Sequence, residues 1–403
     1  MQVLYVTTEA GAVYALSARG SVIWHRRFAT TATEACGTYG FSATGAIDLA
    51  RGVVYEAAAD GTIHALDLAT GTEHAPWPLR LLARPRYEYV WGGLQLIGGR
   101  LYVPVASYCD EPDPRGVAAE GRIVAIDPAT ATVASTFDPV PGFGNLGGVW
   151  GWGGVAAEPD GSILYTGVGN SYVRSDACNC YVDDAGYGDR IVALTPDLSK
   201  VLASNKPANV LPQGDEDFGA APLVFQPRGC PPLLAAKNKL GHLYVWRRDR
   251  IDSGPVADLP LSDAVAAFVG APSYDVSSDT IFVSQVTVHG RGTGYGIAAF
   301  APGPGCALRQ VWRSTIGRGN QPPPLVVGKI VFDSRGETGG FGALSAVNGH
   351  QLWAYRTDAA TLAPLIEVGG QMYGGDVAGN VYAFRPPPPR LRRRPHRGDR
   401  HRI

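Results

Sequence analysis

Four short stretches hold the side chains best suited to chemistry. The run "GVWGWGGVAAEPDGSILYTGVGNSY", Gly148 to Tyr172, sets Trp150 and Trp152 among glycines and carries Asn170 near its end. Two indoles on so bare a backbone can offer a broad apolar face to a flat ligand, or can fill a repetitive β-structure. In "QGDEDFGAAPLVF", Gln213 to Phe225, three consecutive acids run from Asp215 through Glu216 to Asp217. Crowded acids raise one another's pKa, which suits either a general base or a solvated acidic loop. "KNKLGHLYVWRRD" brings Lys237 and Lys239 ahead of a turn glycine, and "SYCDEPDPRGVAAEGRIVAID" offers carboxylates at Asp110, Glu111 and Glu120. Other chemistries find less support. No GxSxG elbow is present, and none of the eight His stands in a motif that pairs it with a nucleophile, which argues against a covalent hydrolase. The six Cys lack the paired CxxC-type spacing of a zinc site.

The elements that must position these groups follow from a repeat. An apolar strand, a Gly-containing turn, a second strand ending in Ala plus an aliphatic or aromatic residue, another turn and often a Trp recur along the chain. The pattern is clearest in "VLYVTTEAGAVYALSARGSVIW" and "VVYEAAADGTIHALDLATGTEHAPW", returns in "LYVPVAS…EGRIVAIDPATATVASTF", and five weaker copies bring the total to eight. Turn pairs such as Asp60-Gly61 supply the positive φ of a hairpin while Val, Ile and Tyr alternate faces. Trp24, Trp77, Trp312 and Trp353 close their units at equivalent places and read as wedges between neighbouring sheets. Segments such as "VWGGLQLIGG" and "APLIEVGG" supply a fourth strand, and the Gly148–Trp152 run reads as inner-strand architecture.

Meanders of roughly fifty residues cannot bury a sheet face alone, and closing a ring of them removes exposed ends. The expected fold is all-β: an eight-bladed β-propeller of four-stranded antiparallel blades over residues 1–385, the first blade lacking an obvious leading strand and the last an obvious trailing one. Composition agrees, with 52 Gly, 31 Pro, only 18% charged residues and 45% hydrophobic ones. Residues 386–403 read as a basic, disordered Pro/Arg-rich tail. From Arg385 onward there are eight Arg and one Asp against an overall formal charge of −1, so the body is acidic and unsuited to nucleic acid. No apolar run is long enough to cross a membrane, and no secretory leader is present. Cysteines in loop-like contexts favour an extracytoplasmic home, with a leader and first strand missing from this version of the chain.

"GAVYALSARGSVIW" and "DGTIHALDLATGTE" resemble the pyrroloquinoline quinone (PQQ) repeat of quinoprotein alcohol dehydrogenases and of non-enzymatic propellers such as outer-membrane assembly lipoproteins. The resemblance spans residues 1–385 and marks how blades are built. It implies that Trp150 or Trp152 forms the floor under a flat quinone, that Asn170, eighteen residues after Trp152, ligates calcium, and that Asp215 or Asp217 is the base taking the alcohol proton. Lys239, with Lys237 as its local rival, would contact the quinone oxygens. The calcium-binding Glu of such enzymes has no clean counterpart: Glu111 and Glu120 lie nearby, but alignment on "GRIVAID" puts Gly116 at its place. Their adjacent-cysteine disulfide is also absent, and Cys178-Asn179-Cys180 does not evidently replace it. Within a bacterial, secreted branch of such propellers, the resemblance implies disulfides Cys36–Cys109 and Cys230–Cys306. Two functions follow: an oxidoreductase acting on an alcohol or polyol with PQQ and calcium, or a non-catalytic propeller binding a partner protein or cell-surface polymer.

Overall fold

The computed structural model describes residues 2–385 except 34–35, 108, 143, 172, 176–179, 183–184, 212–214, 263–268, 286–295 and 317–321, with backbone only for 173–175 and 180–182. The expected tail, 386–403, and Cys178 lie outside the described residues. Eight antiparallel meanders follow one another in chain order. Blade 1 has three strands, Val3–Thr7, Ala12–Ser17 and Val22–Arg27. Blade 2 shows the full plan, with Ala46–Asp48, Val53–Ala57, Thr62–Asp67 and Leu79–Arg80. Blades 3 to 7 repeat it, blade 3 with a fifth short strand, Glu88–Tyr89, paired to Arg100–Ser107, and among the described residues blade 8 stops at three strands, Ile366–Val368, Gln371–Gly375 and Val381–Phe384. Among the described residues the end blades therefore lack the leading and the trailing strand respectively. Among the described residues the only helical turns are two short 3₁₀ segments, Arg248–Ser253 and Pro304–Cys306.

Leading strands of successive blades lie beside one another, Ala46–Asp48 next to Gln95–Ile97 and Ala156–Ala157 next to Leu223–Phe225, so these line the hub. The second and third strands are the buried ones. Tyr55, Tyr102 and Tyr165 pair with Ala65, Ala125 and Ala193, a large residue opposite a small one. The core sits between blades rather than within them. One cluster joins Tyr55 and Ile63 of blade 2 to Leu101 and Val103 of blade 3, and another joins Tyr165 and Ile191 of blade 4 to Leu234 and Trp246 of blade 5. A single sheet has two apolar faces here and needs a neighbour on each side.

The wedge tryptophans act as expected. Trp24 Nε1 donates to the Leu68 carbonyl of blade 2 at 3.0 Å, Trp77 to Pro128 of blade 3 at 3.1 Å, and Trp312 to Ala346 of blade 7 at 2.9 Å. Each ring presses on the last turn of the next blade. Gly71 of the "DLATG" turn has φ +68°, and a β-carbon there would stand 2.5 Å from the Trp24 ring, so glycine is needed for both conformation and space. Trp353 differs. It meets Phe384 edge-on at 4.8 Å.

Among the described residues two disulfides staple loops across blades. Cys36 bonds Cys109, and Cys230 bonds Cys306, with separations of 73 and 76 residues. The first ties the excursion after blade 1 to the long loop of blade 3; the second ties blade 5 to blade 6.

Candidate active site

The Gly148–Trp152 run is a loop rather than an inner strand. It joins the outer strand of blade 3, Thr132–Phe137, to the hub strand of blade 4, Ala156–Ala157. Its backbone is laced to neighbours instead of to a ladder: Val149 N–H donates to Val105 O at 3.1 Å, Gly169 N–H to Gly148 O at 2.7 Å, and Ala221 N–H to Trp152 O at 2.9 Å. Repeated positive φ at Gly147, Gly151, Gly153 and Gly154 breaks the alternation that a strand requires. The effect is to carry Trp150 to the space between blades 4 and 5.

Three other segments meet it there. Asn170 follows the second strand of blade 4, Leu164–Gly167, and is buried. Asp215 and Asp217 lie on the approach to blade 5, anchored by fully buried Phe218, which packs edge-on against Tyr244 and Trp246. Lys239 sits in the hairpin between Leu233–Lys237 and His242–Arg247. That hairpin is pinned to the acidic segment by Lys239 N–H to Asp217 O at 3.0 Å and by Asn238 Nδ2 to Glu216 O at 2.9 Å.

The side chains form one cluster. Trp150 Nε1 donates to Asp217 Oδ2 at 2.8 Å. Lys239 Nζ lies 2.6 Å from Asp215 Oδ1 and 2.9 Å from Asp217 Oδ1, and 4.6 Å from the centroid of the Trp150 ring. Asn170 Nδ2 donates to Asp215 Oδ1 at 3.1 Å. The Trp150 ring rests on backbone as well: a β-carbon at Gly219 would be 2.5 Å from its Cη2. The two acids differ sharply in access, with the Asp215 side chain 58% exposed and that of Asp217 3%. Burial pushes the Asp217 carboxyl above its ordinary range against the pull of Lys239, and Asp215 adds to the upward push. Burial opposes the Lys239 charge, yet Asp217 and Asp215 together hold the ammonium above the usual lysine range.

The remaining sequence candidates are elsewhere. Trp152 contributes its backbone to an isolated bridge with Ala220, and its ring meets Trp91 at 5.8 Å. Trp91 also lies against Trp150, centroids 5.1 Å apart and 32° inclined, so a third tryptophan belongs to the site. Its only local signal was the Gly-Gly that follows it, as glycine follows Trp150 and Trp152. Lys237 points away, fully buried, donating to Ser284 O of blade 6 at 2.6 Å. Glu111 and Glu120 stay on the blade 3 loop, where Glu120 bridges Leu146 through its backbone. Among the described residues no three His, Cys, Asp or Glu side chains gather closely enough to hold a metal ion, so these two glutamates do not join Asp215 and Asp217 in a carboxylate cage.

Known proteins share this architecture. The PQQ_2 family model, described as outer membrane protein assembly factor BamB, matches residues 1–91. A polyvinylalcohol dehydrogenase of Pseudomonas sp is 23% identical over 432 residues, covering 93% of this chain and 62% of that enzyme. The chain thus spans less than two thirds of that relative's length. Among solved structures, quinohemoprotein alcohol dehydrogenase ADHIIG from Pseudomonas putida HK5 superposes with a TM-score of 0.65 at 18% identity, over 92% of this chain and 68% of that one. BamB from Moraxella catarrhalis does so with 0.60 at 15% identity, over 96% and 94%. Eight meanders give the chain the β-propeller fold that these proteins share, and its first 91 residues match the PQQ_2 repeat model.

Proposed function

We propose that this propeller is a quinoprotein-type oxidoreductase that oxidises an alcohol or polyol in an extracytoplasmic compartment. The observation carrying this reading is the meeting of Trp150, Asn170, Asp215, Asp217 and Lys239, spread over some ninety residues of sequence, in one cluster between blades 4 and 5. The donor set fits the groups such an enzyme needs. Two carboxylates already hold one cation, the ammonium of Lys239, and hard oxygen donors of this kind suit calcium. Trp150 and Lys239 would hold PQQ by stacking and by a charged hydrogen bond, while Asp215, Asp217 and Asn170 would hold the metal. PQQ, when bound, supplies the hydride acceptor.

The chain's own residues divide the remaining work. Asp217 has one oxygen on the Trp150 indole and the other on Lys239, and it is closed to solvent, so it fixes the ring and, before a metal binds, the ammonium in place. Asp215 is the acid a substrate can reach. Its carboxylate is the general base, accepting the alcohol proton, and Asn170 and Lys239 orient it. Trp150, Trp91 and Trp152 exclude water from one side. The polyvinylalcohol dehydrogenase similarity supports a hydroxyl-bearing chain among the substrates. Two disulfides suit an oxidising compartment. Reconstitution with PQQ and calcium, followed by dye-linked oxidation of small alcohols, polyols and poly(vinyl alcohol), tests the reading; no PQQ binding and no turnover would reject it.

The second reading, a non-catalytic propeller that binds a partner protein, is favoured by the BamB match, which extends over nearly all of both chains. Retrieval of a specific envelope protein by a variant lacking both Asp215 and Lys239 would support it.

A further inference from the structure

We propose that Lys239 is the resident counter-cation of the cluster: its ammonium holds the place between Asp215 and Asp217 that a metal ion must take, so a metal is captured only when this side chain swings off the two carboxylates. The inference rests on the quinoprotein reading for the metal itself, and on the geometry of this chain for the rest. Nζ stands 2.6 Å from Asp215 Oδ1 and 2.9 Å from Asp217 Oδ1, the distances of charge-assisted bonds. A metal ion bonded to the same two oxygens would lie within a few ångströms of the ammonium, and like charges that close repel strongly in a partly buried site. Both cannot keep the pair.

The amide of Asn170 is turned the same way. It gives Nδ2–H to Asp215 Oδ1 at 3.1 Å, an arrangement that serves a carboxylate already neutralised by lysine. A metal bound to Asp215 and Asn170 requires the amide oxygen instead, so the side chain must flip as the ammonium departs.

The departing group has a place to go. Nζ is already 4.6 Å from the Trp150 ring centroid, close enough for the π-face to stabilise it. The backbone need not move: Lys239 N–H stays on Asp217 O at 3.0 Å, and the turn is closed by Gly241 N–H to Asn238 O at 3.0 Å. Rotation of the side chain alone takes the ammonium from the carboxylates towards the Trp150 ring, where it meets the oxygens of a flat ligand. The site therefore assembles in order, with the metal first and the quinone second. Metal binding frees the lysine that the quinone uses.

Terbium(III), a luminescent oxygen-seeking cation, is titrated into the full chain with excitation of tryptophan, in wild type, Lys239→Met and Asp217→Asn. The expected result is terbium binding at least tenfold tighter in Lys239→Met and at least tenfold weaker in Asp217→Asn, with calcium chasing the emission. Wild-type tryptophan fluorescence should change on calcium addition and that of Lys239→Met should change far less, because it has no ammonium to shift relative to the ring. Lys239→Gln replaces Lys239→Met if thermal melts show the latter to be misfolded. Equal or weaker terbium binding without the lysine, absence of terbium binding in all variants, or emission that survives Asp217→Asn would overturn the inference. PQQ titration of the same proteins, read by its own absorbance, separates this result from the functional reading. Tighter terbium without PQQ binding leaves the lysine exchange standing and removes the quinoprotein; PQQ binding with unchanged terbium affinity does the reverse.

Discussion

At the scale of single residues, the two aspartates of the cluster have unlike surroundings and should have unlike mutants. Asp215→Asn is expected to lower PQQ-dependent turnover by at least a hundredfold with an unchanged melting temperature, since its carboxylate is solvent-facing. Asp217→Asn should lower the melting temperature as well, because a buried indole N–H and a buried ammonium both lose a charged acceptor. Steady-state kinetics beside thermal melts check the pair. A third acid, Glu56 of blade 2, is fully buried with its carboxyl packed over Gly45, and burial pushes its pKa up to about 8. A carboxyl raised on folding keeps its stabilising share below the unfolded value of 4.5 and loses it as pH climbs through 8, at about 1.4 kcal/mol per pH unit in between. Glu56→Gln should therefore raise the melting temperature by several degrees at pH 8 and much less at pH 5. An equal shift at both pH values would mean that Glu56 titrates normally.

At the scale of elements, the excursion from Ser107 to Arg122 in blade 3 is held by charge. Arg84 lies 3.0 Å from Glu88 and 3.4 Å from Asp113, and donates to the carbonyls of Val117 at 3.2 Å and Ala118 at 2.8 Å, while Arg122 reaches the other Glu88 oxygen at 3.1 Å. Arg84→Met leaves Glu88 buried with one partner fewer, and is expected to lower the melting temperature by about 5 °C or more and to open this loop to limited proteolysis, read by mass spectrometry. Strands such as Val53–Ala57 and Thr62–Asp67 were legible because alternation, a Gly turn and a closing Trp are all local. The loops were not. Trp91 and Arg84 act on residues more than twenty-five positions away, and nothing beside them in the chain announces those partners. The choice between Asp215 and Asp217 was closed to spacing because it depends on which one Trp150 covers. The glycine run misread as a strand shows the same limit, since its positive φ angles follow from contacts made with two other blades.

At the scale of the whole molecule, the repeat was enough for the ring, because eight units that each need neighbours on both faces have few other ways to pack. Its joint is the least finished part. Blade 8 has no fourth strand, so one edge of Val381–Phe384 is unpaired among the described residues, and a cavity of about 490 Å³ lined by Leu4, Leu16, Gln371 and Tyr373 separates it from blade 1. Amide exchange in Val381–Phe384 should be at least tenfold faster than in His242–Arg247, the matching strand of blade 5; equal protection would mean the joint is sealed. Because blades follow chain order, this joint stands across the circle from blades 4 and 5. Breathing at the clasp is thus farthest from the tryptophans and carboxylates, and a label placed on Leu4 or Tyr382 would ride on the opposite rim, leaving ligand capture undisturbed.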